Sequence, residues 1–163
     1  MQTERGKGIP LSLLGPAIAA LAVDQLIKAL VVAELPTGKV IKLLGPITLR
    51  QVRNTGSAFG LFSSNPVPVL VASLVSFVIL MIVMYRWKLL RYRLSLYGLG
   101  LIVGGSAANI VDRVFRGSVV DFIDIGPWPV FNLADVFIVV GIFLLILVLF
   151  GETFRKEGSE KGP

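Results

Sequence analysis

Long apolar runs constrain the fold of this chain more than any other feature of its sequence. A helix that crosses a membrane needs about 20 mostly apolar residues, at about 1.5 Å of rise per residue. Four runs of that length lie between charged clusters, at about residues 11–33, 66–85, 94–111 and 130–150. Because 55% of the residues are hydrophobic and only 16% are charged, the chain has more apolar surface than a water-facing domain needs. The sequence predicts an all-α polytopic membrane protein with four transmembrane helices.

The fourth run determines the depth of one acidic residue. Its charge-free part, residues 136–150, corresponds to about 22 Å of helix, which is less than the hydrocarbon core of about 30 Å. To cross the membrane, the helix must therefore begin near residue 130. Asp135 then lies inside the outer part of the membrane, and residues 151–163 form a polar tail.

Basic residues set the predicted orientation. Residues 86–93, RWKLLRYR, join the second and third spans and carry four basic residues and no acidic one. The positive-inside rule places this segment in the cytoplasm, and with four spans both termini lie there as well. The polar tail at 151–163 is then cytoplasmic. We expect the first span to be retained, since its apolar part is longer than the 7–15 residues of a cleaved signal sequence.

Two stretches, residues 34–65 and 112–131, then face the other side. The first contains a predicted hairpin, residues 39–44 and 47–53, about the turn-forming pair Gly45-Pro46. We therefore expect a small extracytoplasmic β element and loop platform within a single membrane-embedded domain, residues 1–163.

The residue types that are missing exclude several kinds of site. The chain has no histidine and no cysteine, which rules out disulfides, cysteine nucleophiles, Ser-His-Asp triads, haem ligation and ordinary zinc sites. We expect no metal and no cofactor. The net charge of +6 is interpreted as anchoring to anionic membrane lipid, and not as a nucleic-acid interface.

The aspartates are all predicted to lie toward the same side of the membrane. In the predicted topology every aspartate lies in the outer half of the membrane or just beyond it. Burying an ionisable group at such a depth costs on the order of 2.5–3.5 kcal/mol, so these residues usually mark a site. Two carboxyls in a partly dehydrated pocket share a proton, so that one can activate water while the other donates a hydrogen bond to a peptide carbonyl. The aspartates are Asp24, Asp112, Asp121, Asp124 and Asp135.

Several of these residues also have a purely structural interpretation. Asn132 and Asp135 have the spacing of a helix N-cap and its third residue. Asp24 and Lys28, four residues apart, predict a membrane-embedded ion pair. Asp112 and Arg113, by contrast, fit a helix end at the lipid headgroups.

Amides and small residues complete the pattern. Asn54, Asn109 and Asn132 lie near outer helix ends, where buried amides need hydrogen-bond partners such as carboxylates or a substrate backbone. Gly104 and Gly105 predict a helix face that packs closely against a neighbour.

Other classes of protein remain open on these residues. A proton- or ion-coupled transporter also uses embedded charges, but it needs polar residues through the whole membrane depth, and the inner halves of the second and fourth spans lack charged residues. A noncatalytic subunit that packs through its glycine pair is a further alternative. A serine-lysine peptidase would need a Ser-Lys pair, and no such pair stands out among the outer residues.

Taken together, the motifs resemble those of lipoprotein signal peptidase, the signal peptidase II family, over essentially the whole chain. The order of the motifs and the four-span layout are more specific than any one motif. The matching segments are DQLIK at 24–28, RNTGSAFG at 53–60, GG at 104–105 leading to NIVDR at 109–113, VVDF at 119–122 and FNLAD at 131–135.

The resemblance implies an aspartic endopeptidase of the bacterial inner membrane that removes the signal peptide from diacylglyceryl-modified prolipoproteins. It implies cleavage before the lipidated cysteine, an active site toward the extracytoplasmic side, and inhibition by the cyclic peptide globomycin. Asp121 and Asp135 would form the catalytic dyad. The residues implied in substrate binding or support of the dyad are Asn54, Gly56, Asn109, Asp112, Arg113, Asn132, Asp24 and Lys28.

Overall fold

Three long helices form the frame of the protein in the computed structural model, which describes residues 10–55, 71, 78, 82 and 89–160. Helix α1 spans Leu11–Glu34, α2 spans Arg93–Arg116 and α3 spans Leu133–Glu160. Within the described residues, α1, α2 and the Leu133–Glu152 part of α3 are long and apolar enough to cross a membrane. The second predicted span, 66–85, lies outside these residues, apart from three helical positions.

Two helix ends differ from their predicted positions. Helix α2 continues past residue 111 to Arg116 and stops at Gly117, whose φ of +70° is a left-handed conformation that favours glycine. The basic side chains of Arg113 and Arg116 lie in its last turn, where they complement the helix dipole. Helix α3 begins at Leu133, after the predicted start near residue 130, and it continues to Glu160, through most of the predicted polar tail.

Helix α2 packs against both other helices through glycines. A methyl group at Gly100 or Gly104 would overlap the α1 backbone at Leu13 or Ala17, respectively. A methyl group at Gly105 would overlap the backbone of Ala134 in α3. The predicted close packing at Gly104 and Gly105 is therefore confirmed, and the two glycines contact different helices.

A three-stranded antiparallel sheet lies at one end of the helices. The predicted hairpin is confirmed as β1, Val40–Leu44, and β2, Ile47–Asn54, with Gly45 in the left-handed region at the turn. Strand β3, Val119–Asp124, pairs with β2 and lies within the stretch expected to be loop. It was not predicted because its partner strand is more than 60 residues away in the sequence.

Buried apolar contacts fix this sheet to the helices. Val120 and Phe122 of β3 form a cluster with Val31 and Leu35 at the end of α1. Ile123 pairs with Phe131, two residues before α3 begins. These contacts hold β3 beside the first turn of α3.

Candidate active site

Asp121 and Asp135 come together at one residue, Asn132. The Asn132 side-chain amide donates a hydrogen bond to Asp121 Oδ1 at 2.6 Å, and the Asn132 backbone N–H donates to Asp135 Oδ2 at 3.2 Å. Asp121 is carried by β3 and Asp135 by the first turn of α3. The junction of strand and helix therefore brings two acidic side chains from separate segments to one place.

The other two predicted asparagines also bind these carboxylates. The Asn54 amide, at the end of β2, donates to Asp121 Oδ2 at 2.8 Å. The Asn109 amide, on α2, donates to Asp135 Oδ1 at 2.9 Å, and Asn109 Oδ1 accepts from Asn132 at 3.1 Å. Both oxygens of each carboxylate thus accept hydrogen bonds from neutral donors, and the three asparagines come from three different elements.

The capping interpretation of Asn132 and Asp135 is also confirmed. The backbone N–H of Asp135 donates to Asn132 Oδ1 at 3.1 Å, reciprocal to the bond from the Asn132 N–H to Asp135. This is a capping box, with Asn132 just before the helix and Asp135 at its third position. The motif starts the helix and orients the Asp135 carboxylate in one arrangement.

Burial changes the acidity of Asp121. The side chain is almost completely removed from solvent, and this desolvation raises its pKa to about 6. The negative charge of Asp135 adds to the increase, while the hydrogen bonds from Asn54 and Asn132 oppose it. Asp121 therefore holds a proton at a higher pH than an exposed aspartate does.

A second acidic cluster lies next to this pair and contains cations. The Lys28 ammonium is 2.7 Å from Asp24 Oδ2 and 2.9 Å from Asp112 Oδ2, and all three side chains are fully buried. The predicted Asp24–Lys28 ion pair is thus confirmed. Lys28 also donates to Asn109 Oδ1 at 3.0 Å. The Lys28 ammonium therefore lies among two carboxylates and an oxygen of the amide network that binds the aspartate pair.

The first turn of α3 and strand β3 are each bound to this second cluster. Asp24 Oδ1 accepts a hydrogen bond from the backbone N–H of Ala134 at 2.8 Å. Asp112 Oδ2 accepts one from the backbone N–H of Val120 at 3.1 Å. Each bond is made one residue before a member of the aspartate pair, so the cluster fixes the backbone that carries both carboxyls.

Two members of the second cluster were missed in the sequence. Arg116 donates to Asp112 and, at 2.9 Å, to the side-chain oxygen of Gln25. Gln25 in turn donates to Asp112 Oδ1 at 3.2 Å and to the Ala108 carbonyl at 3.1 Å. Asp112 and Arg116 have the favourable acid-then-base spacing of four residues, so the sequence contained a signal for this pair.

Arg113 lies between the two acidic groups. Its guanidinium donates to the Asn109 carbonyl at 3.3 Å and is close enough to Asp121 and Asp135 to interact with their charges. The buried Nε has no hydrogen-bond partner in the part of the chain that the structure describes.

Asp124 does not take part in the pair. Its carboxylate accepts hydrogen bonds from the Gly126 N–H at 2.9 Å and from Arg50 at 2.6 Å, which hold its pKa below the usual range.

An apolar cavity of about 330 Å³ adjoins the aspartate pair. Its lining residues are Ile125, Trp128, Phe131, Asp135, Val136 and Val139. Over the described residues, no group of three or more His, Cys, Asp or Glu side chains is arranged to hold a metal ion.

Gly56, the remaining predicted site residue, lies outside the described residues. The other nine form the aspartate pair and the adjoining cluster or contact them, through the interactions given above.

Comparison with known proteins gives a consistent assignment. The sequence profile of signal peptidase (SPase) II matches residues 16–151. The lipoprotein signal peptidase of Syntrophomonas wolfei is 42% identical over 137 residues, which is 83% of this chain and 91% of that protein. The corresponding enzyme of Rhodococcus jostii is 41% identical over 87% of this chain and 73% of its own length.

Solved structures agree with this match. A bacterial membrane enzyme determined by the in meso method at 2.3 Å resolution superposes with a TM-score of 0.71 at 25% identity, covering 89% of this chain and 90% of its own. A second, at 1.9 Å resolution, gives a TM-score of 0.68 at 26% identity, covering 85% of this chain and 91% of its own. Sequence and fold thus place the chain among membrane proteases that process lipoproteins, and it belongs to the lipoprotein signal peptidase (signal peptidase II) family.

Proposed function

We propose that this chain is an aspartic endopeptidase that cleaves diacylglyceryl-modified prolipoproteins immediately before the lipidated cysteine. Removal of signal peptides from prolipoproteins follows from the family. The observation that carries the aspartic mechanism is the shared hydrogen bonding of Asp121 and Asp135 to Asn132. One buried and one partly buried carboxyl, with no cation in direct contact among the described residues, favour a state with one shared proton, which is what acid-base catalysis of peptide hydrolysis requires.

The reaction needs one charged and one protonated carboxyl. The charged carboxylate takes a proton from a water molecule as the water oxygen attacks the scissile carbonyl carbon. The protonated carboxyl donates to the carbonyl oxygen and stabilises the tetrahedral intermediate. When the C–N bond breaks, the leaving nitrogen takes up a proton from the dyad, and a new carboxyl terminus remains on the signal peptide. The raised pKa of Asp121 supports its role as the protonated partner.

The surrounding donors have distinct roles in this proposal. Asn54, Asn109 and Asn132 orient the two carboxyls without supplying a positive charge that would keep both ionised. Arg113, whose positive charge acts on both carboxyls, would support the dyad or bind the substrate. Gly56 is included in the proposed site only because it belongs to the RNTGSAFG motif at residues 53–60.

The expected depth of the pair supports a lipidated substrate. Asp135 lies at the start of a helix of membrane-crossing length, and an apolar cavity adjoins its carboxyl. A precursor that carries acyl chains presents its scissile bond close to the headgroups, so it reaches this position by entering from the bilayer. The family resemblance supports a bacterial inner-membrane location, and the positive-inside rule supports an orientation with the site on the extracytoplasmic side and both termini in the cytoplasm.

The test is a gel-shift assay with purified chain in lipid vesicles and a precursor with or without the diacylglyceryl group. We expect cleavage of the lipidated precursor, little cleavage of the unlipidated one, inhibition by globomycin, and no effect of a chelator. Equal cleavage of both precursors would contradict the proposal that the depth of the aspartate pair selects a lipidated substrate. Recovery of activity only on adding a metal would contradict the two-carboxyl mechanism.

A further inference from the structure

The β1–β2 hairpin exposes apolar side chains on both of its faces. All five residues of β1 are exposed, whereas a strand that covers a core alternates between buried and exposed positions. Leu44, at the turn, is 81% exposed. An uncovered apolar strand at a sheet edge is unfavourable in water and prone to aggregation. The exposed large apolar side chains of the hairpin are Val40, Ile41, Leu43, Leu44 and Ile47.

The register of the sheet shows where this hairpin lies. Thr48, just after the turn, pairs with Asp124 at the far end of β3. The chain that follows β3 contributes Ile125 and Trp128 to the cavity that also contains Val139 of α3. Val139 is about 9 Å along the helix from Leu133, well inside the apolar span. This end of the sheet therefore adjoins the loop that packs beside the start of a membrane-crossing helix.

The charges around the hairpin match a phospholipid surface. Lys39 and Lys42 are exposed beside the apolar residues, and the hairpin and the turn preceding it contain no acidic residue. Trp128, which is 65% exposed, lies at the same end of the sheet. Lysine next to apolar side chains, with tryptophan close by, is typical of segments at the boundary between headgroups and acyl chains.

We propose that the hairpin is a membrane anchor. Leu43, Leu44 and Ile47 enter the boundary between headgroups and acyl chains on the side of the aspartate pair, and Lys39 and Lys42 contact lipid phosphates. Because β2 pairs with the strand that carries Asp121, this contact fixes the depth of that carboxyl relative to the lipid. The anchor does not depend on the proposed peptidase activity.

A depth measurement tests the proposal directly. The native chain has no cysteine, so Leu44→Cys provides a unique attachment point for a spin label. In vesicles of phosphatidylcholine and phosphatidylglycerol, we expect the label to be more accessible to oxygen than to a water-soluble nickel complex, at about 5–10 Å below the phosphates. The matched control is Thr37→Cys, an exposed polar position before the hairpin, whose label should be accessible to nickel.

Three results would overturn the anchor. One is equal nickel accessibility at positions 44 and 37. Another is dipolar broadening at position 44, which would mean that a second copy of the chain covers the hairpin. A third is protection that occurs only when a precursor is added, which would assign the surface to substrate.

A second measurement does not depend on labelling the turn. In a Trp87→Phe background, Trp128 fluorescence should be quenched by lipids brominated near the headgroup end of their chains. Leu43→Asp with Leu44→Asp should reduce this quenching at least twofold, whereas Thr37→Asp should leave it unchanged. Unaltered quenching in the double variant, with helix content retained by circular dichroism, would contradict the proposal.

Discussion

Two buried acidic groups lie side by side in this protein and are neutralised in different ways. In the first, Asp24 and Asp112 are paired with Lys28, and Arg116 contacts Asp112 as well. In the second, the hydrogen bonds that Asp121 and Asp135 accept from the described residues come from asparagine amides and one backbone N–H. Cations contact the first group directly, whereas Arg113 acts on the second group through its charge without a hydrogen bond to either carboxyl in the described part of the chain.

The two groups are therefore expected to have different roles, the first structural and the second catalytic. Lys28 contacts Asp24 of its own helix and Asp112 of the neighbouring one, so the first group serves as a buried link between α1 and α2. In the proposed mechanism the second group shares a transferable proton, because neutral amides orient its carboxyls without fixing their charge state. Asn109 joins the two, since its oxygen accepts from Lys28 and its amide donates to Asp135. A change in one group can therefore be transmitted to the geometry of the other.

The largest expected effect is on turnover when the second group loses a carboxyl. Asp121→Asn and Asp135→Asn should each lower kcat at least 10³-fold, because an amide can neither take a proton from water nor share one. The proteins should remain folded and membrane-inserted, as asparagine keeps the size of the side chain. The measurement is single-turnover cleavage of a lipidated precursor together with a thermal melt.

The control for this comparison is Asp124→Asn. Asp124 is also an acidic residue of β3, but it pairs with Arg50 at the edge of the site. This variant should keep activity within a few-fold of the native chain. Substantial turnover by either dyad variant, or its loss in the Asp124 variant, would mean that the wrong carboxyls have been assigned.

The next largest effect is on stability when the first group loses its central cation. Lys28→Met leaves Asp24 and Asp112 buried with less compensating charge, and breaking a buried pair in this way costs about 3–5 kcal/mol. We expect a marked fall in the Tm of the purified protein in detergent. Lys42→Met, which removes an exposed lysine of the hairpin, is the matched control for loss of one positive charge. Equal melting of the two variants would show that the buried ion pairs do not stabilise the fold.

A smaller effect on stability is expected where α1 approaches α2. Gly104→Ala places a methyl group against the Ala17 backbone, which must move for α2 to remain beside α1. Overpacking of this kind costs about 1–3 kcal/mol. Gly15→Ala is the control, because it is also within a helix but has open space around it, and alanine there should be neutral or stabilising. If both variants melt at the native temperature, the ion cluster does not depend on this close approach.

The helices and the ion pair were predictable because their signals are local. Apolar runs of the required length gave α1, α2 and α3, and the spacing of Asp24 and Lys28 gave a pair on one helix face. The Asn132–Asp135 spacing predicted a helix cap, which is confirmed. In that case the structural and the functional interpretations describe the same residues, so choosing between them was unnecessary.

Contacts between distant segments were not predictable in the same way. Strand β3 forms by pairing with β2, and no pattern within Val119–Asp124 indicated that partner. The role of Gln25 depends on α1 meeting α2, which brings it to Asp112. Convergence of Asp121 and Asp135 was expected from the motifs and from the chemistry of paired carboxyls. Their attachment to a single asparagine required the packing of strand on helix.

The smallest predicted effect is a shift in a pH profile. Burial raises the pKa of Asp121 to about 6, so its proton is lost as the pH rises through this value. If this proton is the one donated to the carbonyl, kcat should fall on the alkaline side with an apparent pKa near 6. The hydrogen bond from Asn54 stabilises the charged carboxylate, so Asn54→Leu should raise the pKa further and move this limb to higher pH by on the order of one unit. Thr48→Val, at the far end of the same strand, should leave the limb in place. A limb that moved to lower pH in the Asn54 variant would show that the amide stabilises the protonated form, and the roles of the two carboxyls would then have to be exchanged.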